Sequence, residues 1–165
     1  MLVRFNMAIF LILFATRAPA HEERHRSPHE AEVKKQNALD NEKEIFNKIN
    51  FIYEKDVKAI FKIKCMTCHG SSAIKYPFYY NWPIARQIID SDTKEAKEHI
   101  NMDNGLPFGG HGAPVEDLEA IVKSAREGSM PPLRYKIMHW GSGLTDEETK
   151  VIINWAENSL KLFKK

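Results

Sequence analysis

The apolar positions of this chain recur at helical spacing, and no segment alternates with period two over any length. The clearest stripe is the last. In "LTDEETKVIINWAENSLKLF", Val151, Ile152, Trp155 and Leu160 fall on one face, and Thr145 with Glu148 forms a capping box at the start. "VEDLEAIVKSAREG" places Leu118, Ile121, Val122 and Ala125 on one side, with Gly128 just past the end. Val57, Ile60, Phe61 and Lys64 stand at i, i+3, i+4 and i+7, so a helix with Asp56 in its first turn runs toward Cys65. A short helix is expected from Pro83, carrying Ile84, Ile88 and Ile89 inward, and a separate one from Asp92 to Ile100.

Between these lie aromatic "KYPFYYNWP", the glycine-rich loop Asn101–Pro114 and irregular "SMPPLRYKIMHWGSG". The pattern predicts an all-α fold of short helices joined by long loops. Loops of this length in a compact domain usually have a function. The helices offer only a modest apolar surface, so something else is expected to fill the centre.

The N-terminal twenty residues do not fit that pattern. Arg4 precedes the apolar run Met7–Ala15, and Ala18-Pro19-Ala20 is a small-x-small cleavage site, so residues 1–20 read as a signal peptide cut after Ala20. The alternative is an uncleaved anchor, for which the run is short. Residues 21–48 are densely charged and read as a flexible or loosely helical leader, and 49–165 as the folded domain. His21, His25 and His29 are four apart, but Pro28 interrupts them and a solvated leader is the simpler reading.

The chain has 24 Lys+Arg and 22 Asp+Glu, and loss of Arg4 and Arg17 leaves 22 of each. A near-neutral mature chain gives no argument for nucleic-acid or anionic-membrane binding. With no second long apolar run, no stable membrane insertion is expected after cleavage. Export to the periplasm also bears on the cysteines, because exported thiols tend to be oxidised or otherwise consumed.

Both cysteines lie in "CMTCH": Cys65, Cys68 and then His69. A dithiol redox site belongs after a strand in a βαβ pattern, which is absent, and gives His69 no task. A closed zinc site needs four ligands, and there is no second pair. The third reading is covalent attachment of a c-type haem. Two thiols one helical turn apart reach the two vinyl groups on one porphyrin edge, and the next residue projects its imidazole toward the iron. One haem would consume both cysteines and supply the apolar centre.

A second iron ligand on the far face has several candidates: Met66, Met102, Met130, Met138, His99, His111 and His139. Met66 lies within the attachment turn, on the wrong side. Met130 leads, because Pro131 and Pro132 stiffen the segment that would hold its sulfur and His/Met is an established axial pair. His99 and His139 follow. His111, between two glycines, reads as a mobile loop residue.

The span from Asp56 to about Lys161 resembles the haem-binding domain family of exported c-type cytochromes. "DVKAIFKIKCMTCH", "KYPFYYNWP", "AKEHIN" and "REGSMPPLRYKIMHWGSGLTDEETKVIINWA" carry the likeness, in that order. The resemblance implies a cytochrome c-like helical fold with one haem c, His69 proximal and Met130 distal. It also implies a haem pocket that includes His99, His139, Tyr135 and Pro131. The sequence departs from the simpler members at Asn101–Pro114.

Two functions follow as expectations. An iron closed by His69 and Met130 makes an electron carrier rather than an enzyme, serving other exported redox proteins. An open or labile distal position, with His111, His139 or Arg134 above the iron, makes an enzyme or sensor for a small ligand such as NO, CO or peroxide. The stiff Met-Pro-Pro segment favours the carrier.

Overall fold

The computed structural model describes residues 28–71 and 76–164. The signal peptide, its cleavage point, His21 and His25 lie outside the described residues. The fold is all-α, with no strand among the described residues. Helix α1 spans Pro28–Ile52, then a π-helical turn, Tyr53–Val57, leads into α2, Lys58–Lys64, and α3, Met66–His69. Next come α4, Pro83–His99; α5, Pro114–Glu127; α6, Leu133–Met138; and α7, Asp146–Phe163. Among the described residues no helix is long and apolar enough to cross a membrane.

The leader expected at 21–48 as flexible or loosely helical is helical from Pro28 and has no break from the core at residue 48. From Pro28 the chain is one continuous helix that runs past residue 48 into the core. Ile45 and Phe46 pack against the core and Ile49 is buried within it. The earlier turns are exposed and carry local pairs such as Gln36 with Asp40 and Lys48 with Glu44. Charge density there marks a solvated helix rather than an unstructured segment.

The π turn has a physical reason. Ile49, Tyr53, Val57 and Phe61 are all buried and sit four residues apart. On a regular α-helix that spacing drifts by roughly 40° at each step. One wider turn, closed by the Lys58 N–H on the Tyr53 carbonyl, restores the stripe.

The core is aromatic. Tyr53, Phe61, Phe108 and Trp155 meet with ring centroids 5.6–6.4 Å apart. Around them lie Met66, Met102, Leu106, Leu118, Ile121, Val122, Ile152 and Ala156. Burying each large side chain contributes about 1.5–3 kcal/mol. Helices α5 and α7 pack on one another, and the Thr145–Glu148 box starts α7 with bonds of 3.2 and 2.8 Å. The expectation that the helices lack an apolar centre is corrected here: this part of the domain fills its own.

The glycine-rich loop is a structural part of that core. Asn101 and Gly109 exchange backbone bonds of 2.7 and 2.9 Å, closing a compact loop that buries Met102, Leu106 and Phe108. Asn50 of α1 holds it from inside. Its side chain accepts from the Leu106 N–H at 2.7 Å and donates to the Leu106 carbonyl. Gly105 lies against the same amide, and any Cβ there would collide with Asn50 Oδ1.

Two further expectations change. Pro83–His99 is a single helix rather than two. The segment after Pro132, read as irregular, holds the short helix α6.

Candidate haem-binding site

Cys65 joins α2 to α3, and Cys68 and His69 close α3, so all three residues are carried by one helical bend. Neither cysteine is in a disulfide. Burial, then the nearby Glu148, pushes the Cys65 thiol up to about 12. Burial, then Asp92, also raises that of Cys68, against a hydrogen bond with Thr93. Both sulfurs are therefore protonated at neutral pH and poor at disulfide exchange, which needs the thiolate.

His69 is fixed from two directions. Its ring Nδ1 lies 2.9 Å from the Ile100 carbonyl, and its own carbonyl accepts from the Met102 N–H at 2.7 Å. A carbonyl can only accept, so Nδ1 carries the proton and the lone pair is on Nε2. An imidazole whose Nδ1 is tied to a backbone carbonyl is oriented as a metal ligand through its other nitrogen. Gly70 follows, buried, and a Cβ there would press on the Met66 carbonyl and Asp103. Asp103 accepts from the Ser71 N–H, and hydrogen bonding from the Ser71 side chain, then from its backbone, holds the carboxyl below the usual range.

Other segments are tied around this bend. Lys64 donates to the carbonyls of Gly141 and Gly143 at 3.1 and 2.9 Å and lies 3.7 Å from Glu148. Arg134 of α6 grips Asp92 of α4 with two hydrogen bonds. Lys136 donates to the carbonyl of Gly128, the left-handed residue that ends α5. The phenol of Tyr135 is raised by burial and then by Cys68 and Tyr79.

These segments carry the exposed apolar surface. Phe78, Trp82, Ile84, Ile88, Met130, Leu133, Ile137, Met138 and Trp140 are all exposed, and Trp140 reaches 94 %. They come from 78–88 and 130–140; Arg134–Asp92 joins α6 to α4, and Tyr79 meets His139. Exposed apolar groups in such number mark a binding surface.

The sequence-chosen residues divide clearly. Met66 and Met102 are buried in the core, away from any distal role. Met130 is 50 % exposed, joined to Pro131 by a cis peptide bond. Pro131 is half-buried and starts the turn into α6. His99 is exposed and meets the His111 ring edge-on at 4.7 Å. His111 also donates its N–H to the Glu98 carbonyl at 3.1 Å, so it is held by this contact at the end of α4. The His139 Nδ1 lies 3.1 Å from the Tyr135 carbonyl, and the Tyr79 hydroxyl is 3.1 Å from its Nε2 and 3.4 Å from its Nδ1. Arg134 is paired with Asp92. His29 lies on exposed α1, and no group of three His, Cys, Asp or Glu among the described residues is placed to hold a metal ion. A surface depression between α5 and α7, lined by Val122, Arg126, Glu157 and Leu160, contains none of the motif.

Sequence reasoning missed Ile100 and Lys64. The first acts through its carbonyl, which any residue has. The second sits on a helix whose tertiary neighbours no spacing reveals.

The sequence model of the haem-binding domain family matches residues 21–158. The chain belongs to the haem-binding domain family. As a member it binds haem. Over 93 residues it is 34 % identical to cytochrome c peroxidase Ccp of Escherichia coli (strain K12). That stretch is 55 % of this chain and 20 % of the relative, so the haem-binding domain spans about a fifth of the length of the protein it matches. No solved structure matches.

Proposed function

We propose that this protein is an exported, periplasmic monohaem cytochrome of c type that carries electrons between other exported redox proteins. In this reading the fold is cytochrome c-like, and Cys65 and Cys68 form the two thioethers. His69 is the proximal ligand through Nε2, and Met130 the distal one. The single observation that carries it is the His69 Nδ1–Ile100 carbonyl bond of 2.9 Å. The bond presents Nε2, and the exposed apolar residues of 78–88 and 130–140 support an apolar occupant. Bound haem supplies one-electron exchange between ferric and ferrous iron.

The chain's own residues do the rest. The Ile100 carbonyl keeps the imidazole in one tautomer and makes it a better donor. Pro131 and Pro132 stiffen the approach of Met130, and methionine ligation raises the potential. Pro131, Tyr135, His99 and His139 border the haem pocket. The exposed aromatic rings at Trp82 and Trp140 lie where a partner docks briefly over a small interface.

A second reading, an enzyme or sensor with a labile distal position, is favoured by one observation: the similarity to a cytochrome c peroxidase. The two are separated by optical spectra of protein matured with haem-attachment machinery, in both oxidation states and with carbon monoxide. A carrier shows the weak red band of methionine sulfur on ferric haem, loses it in Met130→Ala, and refuses carbon monoxide as the wild type. Ready carbon monoxide binding by the reduced wild type supports the second reading. Absence of covalent haem refutes both.

A further inference from the structure

The end of α4 and the glycine-rich loop meet through two histidines. His99 closes the last turn of α4, and the His111 N–H caps that turn by donating to the Glu98 carbonyl at 3.1 Å. Gly110 makes the return possible. Its φ is +110°, and a Cβ there would stand 2.5 Å from the His99 carbonyl oxygen, so the position favours glycine. The two imidazoles then lie with ring centres 4.7 Å apart and planes 71° from parallel. Both residues are exposed.

That spacing suits an ion held between the rings. One nitrogen of each, at metal–nitrogen lengths of about 2.0–2.1 Å and an angle of about 90–110°, sets the ring centres roughly 4.5–5.3 Å apart. The imidazole χ2 is soft, so a turn of either exposed ring aims a nitrogen at a shared point. Imidazole suits divalent ions of the late first row. Two ligands from the chain are fewer than a closed structural site has, so water fills the other positions and the ion exchanges with solvent.

Behind the loop lies a buried carboxyl with an unpartnered oxygen. Asp117 is 3 % exposed, and its Oδ2 has no hydrogen-bond partner. The carboxyl lies against the backbone of Gly112, the residue after His111, where a Cβ would stand 2.0 Å from Oδ1. A buried carboxylate is costly unless positive charge is near. Burial, then Glu116, raises this carboxyl, and His111 opposes them. An ion on His111 would add positive charge on that side.

We propose that His99 and His111 bind a divalent transition ion such as zinc at the junction of α4 and the glycine-rich loop, with Asp117 balancing its charge from behind. The ion ties the loop to the helix end that leads into Ile100, whose carbonyl orients His69.

The test adds zinc to the full haem-loaded chain, first stripped of metal by a chelator. Binding is read by calorimetry and by the rise in melting temperature that a native-state ligand produces. The same titration is run with His21→Gln, His25→Gln and His29→Gln combined, which removes the leader histidines as competitors. One ion per chain is expected in both. His99→Gln and His111→Gln should each weaken binding by more than about tenfold, the low end of what loss of even an outer-shell partner costs. Asp117→Asn, which keeps the shape, should weaken it by a smaller factor. Circular dichroism confirms that the variants fold. The proposal is overturned if any of these three variants keeps the wild-type affinity and melting shift, or if the leader substitutions abolish binding. His99 also borders the proposed haem pocket, so binding by the haem-free chain alone overturns it too. Neither histidine ligates the iron in that reading. Failure of the iron ligands therefore shows in the optical spectrum, and failure of this site in the zinc titration.

Discussion

The Nδ1 of His69 lies 2.9 Å from the carbonyl of Ile100, a residue thirty-one positions later in the chain. This one bond decides which nitrogen of the motif histidine is free. The same short segment returns a second bond, from the Met102 N–H to the His69 carbonyl. The cysteine turn is therefore positioned by the entry to the glycine-rich loop.

Replacing His69 by Gly should remove the proximal ligand while leaving the two cysteines in place. Covalent haem is expected to form with a spectrum shifted from six-coordinate toward weaker ligation. Added imidazole should restore the wild-type spectrum, since it can fill the vacated space. A wild-type spectrum in His69→Gly without imidazole would remove His69 from the ligand set.

Asn50 satisfies both backbone groups of buried Leu106. Asn50→Ala should cost about 2–4 kcal/mol, as two buried groups are left unpaired. Gly105→Ala should cost a similar amount by displacing the same amide. Because the two act on one contact, the double variant should lose much less than the sum. Urea unfolding of all three measures this, and simple additivity would mean that the contact is not shared.

Tyr53 is fully buried and its hydroxyl has no hydrogen-bond partner. Tyr53→Phe should hold stability or raise it by about 1 kcal/mol at neutral pH, since it removes an unpaired polar group. Burial pushes this phenol up to about 12 from 10.0, and the Cys65 thiol up to about 12 from 9.0. Both groups bind their protons more tightly when folded than when unfolded. Their contribution is full below the unfolded values and is lost as pH rises through the folded ones. Haem-free protein should therefore weaken progressively from about pH 9 to about pH 12. Tyr53→Phe and Cys65→Ser should each flatten part of that decline in denaturant midpoints taken across the range.

Lys64 joins the end of α2 to Gly141, Gly143 and Glu148. Lys64→Met keeps the length and removes the donors. Amide exchange in 139–145 should accelerate by about tenfold, the equivalent of roughly 1.4 kcal/mol, while the Tyr53–Trp155 core keeps its protection. Unchanged exchange in 139–145 would show that the segment is held by other contacts.

Met130 is half exposed and packs little. Met130→Ala should change stability of the haem-free chain by no more than about 0.5 kcal/mol. In the haem-loaded protein the same substitution should abolish the methionine band and lower the reduction potential. Loss of stability without spectral change would assign Met130 to packing alone.

The sequence by itself determined the helices with a one-sided apolar stripe and a proper start, α5 and α7, because spacing and capping are local. It also determined that Cys65, Cys68 and His69 share one turn, because their spacing is local and holds them together whatever surrounds them. Tertiary structure decided the rest. Leu106 and Phe108 read as loop residues because glycines and prolines dominate their neighbourhood; only the Asn50 amide, distant in sequence, makes burying them favourable. The His69 tautomer is set by a backbone carbonyl, which no residue type encodes. The Tyr79–His139–Tyr135 stack joins two segments that each read as irregular. Trp155, on the stripe of α7, is buried, while Trp140, in a segment without a stripe, is 94 % exposed. Which face of an aromatic segment meets the core depends on how whole helices pack, and that follows from long-range contacts rather than from local spacing.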